Sequence, residues 1–343
     1  MKANDPNINQ HILNLIFLKN YIMGCGNINA INTDEDIFLN RPIRPNPIKL
    51  NNGLECPIIG LGTALIKTDE DENIIYQSIL DGVRLIDIEP ANEEIVGKGI
   101  QKALTDNIVR RKDLFIVIKL ELAEKKDPEK ALKKSLERLK LEYVDLYLDH
   151  WPSCSNYKEQ KEKREKPIPV KDTWKKMEEL VKKKLTKSIG VCNYNVENLL
   201  NIISICEIKP VVNEVEFHPY LYQKDLKQFC DLENIVIFAY NPFVKGEYCK
   251  KETSYNISYD LFKEAPITFL FRNEKYKNLT MGQIILNWYL SLGIVPIPGT
   301  SKKDRMKENL LAANFTMSKR NIDIIGSFEA KQHRFNNSFD IFG

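Results

Sequence analysis

Cysteine is sparse and unpaired in this sequence: seven residues are scattered along the chain with no Cys-x-x-Cys spacing. An odd, dispersed set of thiols without a secretory leader reads as reduced cysteine in a cytoplasmic protein, which excludes a disulfide framework. Histidine is scarcer. His11, His150, His218 and His333 lie far apart and form no zinc-ligand spacing, so no metal site is expected. Neither sign of charge dominates. Fifty Lys and Arg stand against 47 Asp and Glu, and a net charge of +3 with no recognition motif excludes nucleic acid as the expected partner. Long hydrophobic runs are also missing. The longest near the start, ILNLIFLKNYIM at 12–23, is interrupted by Asn14, Lys19 and Asn20. It falls short of the about 20 apolar residues a bilayer requires, so it reads as a short helix and no membrane association is expected. It lacks the basic region and small-residue cleavage site of a signal peptide. Met23-Gly24-Cys25 is followed by Ile28 where a myristoylation pattern needs Ser or Thr.

What remains is an ordinary globular composition, 43% apolar and 28% charged over 343 residues, enough to bury a large core without staples. Residues 1–46 read as an N-terminal extension, partly helical or disordered, whose last part (26–46) is polar and proline-bearing. From residue 47 the chain alternates short β-rich runs with helical patterns. The runs are PIIGLG (57–62), VRLIDI (83–88), LFIVIK (114–119), VDLYLD (144–149), KSIGVC (187–192), VVNEVE (211–216), IVIFAY (235–240) and GIVPIP (293–298). Between them, Ala131, Leu132, Leu136 and Leu139 fall on one helical face, as do Trp174, Met177, Leu180 and Val181. Eight such units predict an α/β protein, a closed (β/α)8 TIM barrel over 47–325. The competing doubly wound sheet would carry Gly-x-Gly-x-x-Gly after an early strand, and Gly60-Leu61-Gly62-Thr63-Ala64 stops short of it. Asn52-Gly53 between two short apolar runs predicts a type I′ hairpin capping the barrel floor. Residues 326–343 form a tail in which Phe335, Phe339 and Phe342 are placed to dock on the body.

Such barrels do their chemistry at the carboxyl ends of the strands. Those exits here carry Asp87 and Glu89, then Lys119, then Asp149-His150-Trp151. Cys192-Asn193-Tyr194, Glu214, Tyr240-Asn241 and Pro298-Gly299-Thr300 follow at later exits. Ionisable groups thus recur at successive exits. A carboxylate beside a lysine holds the amine and shapes its pKa. A histidine can orient and polarise a carbonyl oxygen. An ion pair knitting loops together is the alternative reading of the same residues.

In order along the chain stand LNNGLECPIIGLGT, GVRLIDI with NEEIVGKGI, LEYVDLYLDHWP, DTWKKMEELV, KSIGVCNY, NEVEFHPYL and KENL. These motifs resemble the aldo-keto reductase family over about residues 47–325. The resemblance implies a barrel with NADPH across its top, transferring hydride to an aldehyde or ketone without metal. It further implies a tyrosine acid assisted by a lysine and an aspartate, with a histidine orienting the carbonyl. Asp87, Lys119 and His150 match the last three. The tyrosine is missing: between Asp87 and Asn92-Glu93 lie Ile-Glu-Pro-Ala, two residues fewer than the family pattern and without Tyr. Glu89 is the nearest substitute acid, with Tyr194 or another loop tyrosine the second candidate. A lost general acid costs about 10² to 10⁴ in rate.

On the cofactor side the resemblance assigns Asn193 to the nicotinamide carboxamide and Tyr240 to its ring. Glu214 takes the place of a glutamine, and an ionised glutamate cannot donate a hydrogen bond. Thr300 lies in the turn leading to an anion-suited helix start. Arg305 matches the arginine at the 2′-phosphate, and Glu308 and Asn309 the adenine end. Trp151, Phe243 and Tyr248 are the expected substrate-lining residues. The expected protein is a cytoplasmic monomer acting on a small carbonyl substrate. Two readings stay open: an NADP-dependent reductase with altered catalysis, and an inactive relative that binds nucleotide or a partner protein.

Overall fold

The computed structural model describes residues 37–38, 46–152, 168–244, 259–300, 302–328 and 333–335. Strand β1 (Ile37–Phe38) pairs antiparallel with β12 (Phe315–Thr316) late in the chain. Strands β2 (Ile48–Lys49) and β3 (Glu55–Cys56) form the hairpin expected around Asn52-Gly53. Its turn differs from the type I′ expectation. Only Gly53 has a positive φ (+86°), Gly53 N donates to Leu50 O at 2.9 Å, and Leu50 N donates to Leu54 O at 2.9 Å. That is a three-residue loop, a type I turn closed by a left-handed glycine, because Asn52 stays outside the positive-φ region that type I′ requires at both centres.

The eight expected strands are all present: β4 (Gly60–Gly62), β5 (Leu85–Asp87), β6 (Phe115–Leu120), β7 (Leu146–Asp149), β8 (Ile189–Cys192), β9 (Val212–Glu216), β10 (Val236–Tyr240) and β11 (Val295–Ile297). They pair in parallel, each with its neighbour in sequence. The first and last meet through a parallel bridge from Gly62 to Gly299, with Gly62 N donating to Pro298 O at 3.1 Å. A Cβ on Gly62 would stand 3.2 Å from the Ile297 carbonyl oxygen, a tight contact that favours glycine at this seam.

Helices α1 (Glu72–Leu80), α2 (Glu93–Thr105), α3 (Pro128–Leu139), α4 (Val170–Lys182), α5 (Val196–Ile203), α6 (Lys224–Glu233), α7 (Ala265–Phe271), α8 (Met281–Ser291), α9 (Lys303–Leu310) and α10 (Lys319–Gly326) complete the units. Helix α3 shows why the sequence makes them. Asp127 caps it by accepting from Lys130 N at 3.0 Å, Pro128 starts it, and Lys140 ends it in the left-handed region. Ala131, Leu132, Leu136 and Leu139 are buried, and in α4 so are Trp174, Met177 and Leu180. Trp174 Nε1 also donates to Ile208 O at 3.0 Å, which satisfies its polar atom. Among the described residues no helix is long and apolar enough to cross a membrane.

The barrel interior is a separate apolar cluster that includes Leu85, Phe115, Val117, Leu146, Leu148, Cys192, Val212, Phe238, Val295 and Ile297. Its members recur every second residue along the strands, as a period-2 backbone requires. That alternation determines which side chains rise into the mouth. The described part of the tail reaches the same end of the barrel. His333 N donates to Tyr220 O (2.9 Å), Phe335 N to Glu216 Oε1 (3.1 Å), and the His333 ring stacks on Tyr259. Phe339 and Phe342 lie outside the described residues.

Candidate active site

Continuing each inward series by two residues builds the site. Leu85 leads to Asp87 and Glu89, Val117 to Lys119, Leu148 to His150, Val212 to Glu214, and Phe238 to Tyr240. Residues from three strand exits thereby converge on one ammonium. Lys119 Nζ lies 2.8 Å from Asp87 Oδ2, 2.6 Å from Glu89 Oε1 and 3.0 Å from Glu214 Oε1. An ammonium has three donors, and here three carboxylates take them. Lys119, Asp87 and Glu214 are buried, while the Glu89 side chain is 30% exposed.

Burial opposes the charge on Lys119, yet the carboxylates of Asp87, Glu214 and Glu89 hold it protonated well above the usual lysine range. The carboxylates diverge. Lys119 holds Glu89 below its usual value, against the cost of its burial. Burial pushes Asp87 up, with Lys119 opposing and Glu89 assisting. Burial and the Asp87 charge push Glu214 up to about 8. Glu214 is therefore neutral near pH 7 and can donate, which corrects the expectation of an ionised glutamate there. Glu89, expected as a carboxylic acid, is instead an ionised partner of Lys119.

The elevated Glu214 pKa makes a stability prediction. Its folded value lies above the roughly 4.3 of an unfolded glutamate, so the stability it contributes is complete below that pH and is lost as pH rises toward about 8. Glu214→Gln stays neutral throughout. Urea unfolding at pH 5 and pH 8.5 should show the Gln variant gaining on the wild type as pH rises; parallel pH slopes for the two proteins would count against a protonated Glu214.

His150 stands at the β7 exit with its Nδ1 2.7 Å from Glu121 Oε1. Sequence reasoning missed Glu121. It lies two residues past Lys119 in the same inward alternation that relates Asp87 to Glu89, and that period was the available signal. Asn193 Nδ2 donates to the His150 carbonyl (3.1 Å), and Asn193 Oδ1 accepts from Tyr240 Oη at 2.9 Å. Asn193 and Asn241 hold left-handed backbones (φ 64° and 53°), a conformation asparagine tolerates. The shortened β5 loop is pinned to Thr63: Glu89 N donates to its Oγ1 (3.0 Å) and Asn92 Nδ2 to its carbonyl (2.7 Å).

Tyr194, the second candidate acid, faces away from this cluster. It is buried, and its hydroxyl donates to Asp149 Oδ2 at 2.8 Å. Asp149 in turn pairs with the buried Lys125 (2.6 Å), whose Nζ also donates to the Trp151 carbonyl. Burial and the Asp149 charge push the Tyr194 hydroxyl far up. The structure thus removes Tyr194 as a proton donor: it braces the strand behind His150.

The remaining expected residues form a second group toward α9. Thr300 is buried and its Oγ1 accepts from Lys302 N at 3.0 Å. Glu308 Oε1 accepts from Thr280 Oγ1, its carbonyl accepts from Gln283 Nε2 (3.0 Å), and Asn309 is buried beside Met306. Arg305 is exposed on the same helix. Trp151 is buried with its ring 5.7 Å from that of His150. Phe243 packs on Phe262 and near the start of α8 beside Glu308. Tyr248 lies outside the described residues.

Comparison with known proteins gives the same arrangement a family. The model of the aldo/keto reductase family matches residues 59–330. The chain belongs to the aldo/keto reductase family. It is 35% identical to the NADPH-dependent aldose reductase GRE3 of Saccharomyces cerevisiae over 318 residues, 84% of this chain and 94% of the relative. It is 33% identical over 315 residues to the NADH-dependent D-xylose reductase of Candida parapsilosis, covering 85% of this chain and 95% of that one. Among solved structures, a Bombyx mori aldo-keto reductase in complex with NADP superposes with a TM-score of 0.77 at 29% identity, covering 87% of this chain and 97% of that chain. Among the described residues no tyrosine hydroxyl bonds to Lys119, whose three donors go to carboxylates.

Proposed function

We infer that this chain reduces aldehyde or ketone carbonyls with NADPH. The observation that carries the reading is the buried Lys119 ammonium, gripped by Asp87 and Glu89 at the mouth of the barrel beside the exit of His150. A nicotinamide dinucleotide, when bound, supplies the hydride. The residues present suit it. Glu214 Oε2 is buried without a hydrogen-bond partner, and a bound amide would relieve that cost of about 1–3 kcal/mol. As a neutral acid Glu214 serves where a glutamine would, while Asn193 and Tyr240 stand at adjoining exits for the amide and the ring. Thr300, Arg305, Glu308 and Asn309 provide the phosphate and adenine end. The Arg305 guanidinium suits a 2′-phosphate, which favours NADPH over NADH.

One observation supports the inactive reading: the carboxylates saturate Lys119, so it has no donor left to tune an acid. A titration distinguishes the two. NADPH should quench tryptophan fluorescence, and a nitrobenzaldehyde should then consume NADPH. Arg305→Ala should weaken NADPH binding roughly tenfold, as loss of a charged hydrogen bond implies, and leave NADH binding nearly unchanged. Quenching without consumption would assign the chain as a nucleotide-binding module. No quenching at all would discard the cofactor together with the Arg305 assignment.

A further inference from the structure

We propose that the ring of His150, held by Glu121, is the acid that protonates the carbonyl oxygen, in place of the absent tyrosine. The assignment rests on carbonyl reduction being the reaction. Among the described residues the geometry narrows the choice of donor. Each Lys119 proton points to a carboxylate, and Glu89 is ionised against that ammonium. Glu214 is protonated but has one oxygen on Lys119 and the other assigned above to the cofactor amide. Tyr194 is committed to Asp149, and Tyr240 donates to Asn193.

His150 has none of these obstacles. Its Nδ1 faces Glu121 Oε1 at 2.7 Å, which fixes the ring and leaves Nε2 to carry the transferable proton. A carboxylate behind an imidazole stabilises the imidazolium form. The pair also reaches solvent: the side chains are 17% and 40% exposed, so a spent proton can be replaced from water. The charges acting on His150 come from several elements. Asp87 and Glu89 at the β5 exit, Glu121 beyond β6 and Asp149 in its own strand are acidic. The cations Lys119 and Lys125 are tied to those acids.

The step balances simply. Hydride brings two electrons to the carbonyl carbon, the C=O π pair moves onto oxygen, and oxygen takes the Nε2 proton as that N–H bond breaks. The alcohol leaves with both hydrogens. The neutral imidazole regains its proton from water, and Glu121 stays ionised throughout. Glu121 is a positioning residue, since it acts only through His150.

The test uses Glu121→Gln, which keeps the shape and removes the charge at a half-exposed site. With only four histidines in the chain, the ring ¹⁵N signals of His150 can be titrated by NMR and assigned by their loss in His150→Asn. Without the Glu121 charge the imidazolium is less favoured, so the high-pH limb of kcat should move to lower pH and turnover on that limb should fall about tenfold. An unmoved His150 titration, or turnover whose pH limb stays in place, overturns the dyad while leaving the reductase intact. A wild-type protein that binds NADPH and reduces no aldehyde overturns both.

Discussion

Replacing Lys119 by methionine should destabilise the protein by about 3–5 kcal/mol near neutral pH, the loss expected when one partner of a buried ion cluster is removed. Three carboxylate oxygens lie within 3.0 Å of its Nζ. Without the ammonium, Asp87, Glu89 and Glu214 face one another in the barrel mouth with no counter-charge. Their only relief is to bind protons. Each folded-state pKa then rises above the unfolded value, so the stability they contribute is complete at low pH and drains away as pH rises through the elevated values. The deficit of Lys119→Met relative to wild type should therefore be small at pH 4 and largest at pH 8. Thermal or urea unfolding across that range measures it. A variant that melts with the wild type at pH 8 would show that the cluster is not the buried, strongly coupled set described above.

The second large effect concerns the brace behind His150. Lys125→Met should cost a similar 3–5 kcal/mol, because the carboxylate of Asp149 is fully buried and would keep only the Tyr194 hydroxyl. The Trp151 carbonyl loses its donor as well. Replacing the partner too should reverse most of this, since apolar residues of similar volume substitute for buried ion pairs at little cost. Lys125→Met with Asp149→Leu is expected to recover stability, short of the 1–3 kcal/mol by which the Tyr194 hydroxyl is left unsatisfied. Adding Tyr194→Phe should restore the remainder. If the double variant is no more stable than Lys125→Met alone, the loss comes from the Trp151 carbonyl and not from an unpaired carboxylate. The aromatic pair His150–Trp151 would then be the group to follow.

Much of the architecture was legible from local pattern. Period-2 apolar runs separated by amphipathic helices state the barrel, since each strand must bury one face inward and the other against helices. Asp87, Lys119 and His150 are legible for the same reason: each continues an inward series by two residues. Glu121 continues one as well, but its role depends on a partner 29 positions away in the chain, and no local pattern announces that pairing. Tyr194 shows the converse. Its hydroxyl chemistry is visible in the sequence, while its orientation toward Asp149 is a matter of which side of β8 it leaves. The hairpin at Asn52-Gly53 was legible as a turn, and only its backbone distinguishes a left-handed glycine from a full type I′ pair.

By itself the sequence determined the strand count, the capping hairpin and the membership of an acid, a lysine and a histidine in one mouth. Those are properties of spacing and residue type. Tertiary structure decided the protonation of Glu214, the ionised state of Glu89, the saturation of Lys119 and the partner of His150. The reason is physical: a pKa and a hydrogen-bond partner depend on burial and on distances between residues remote in the chain, and closure of the barrel is what sets both.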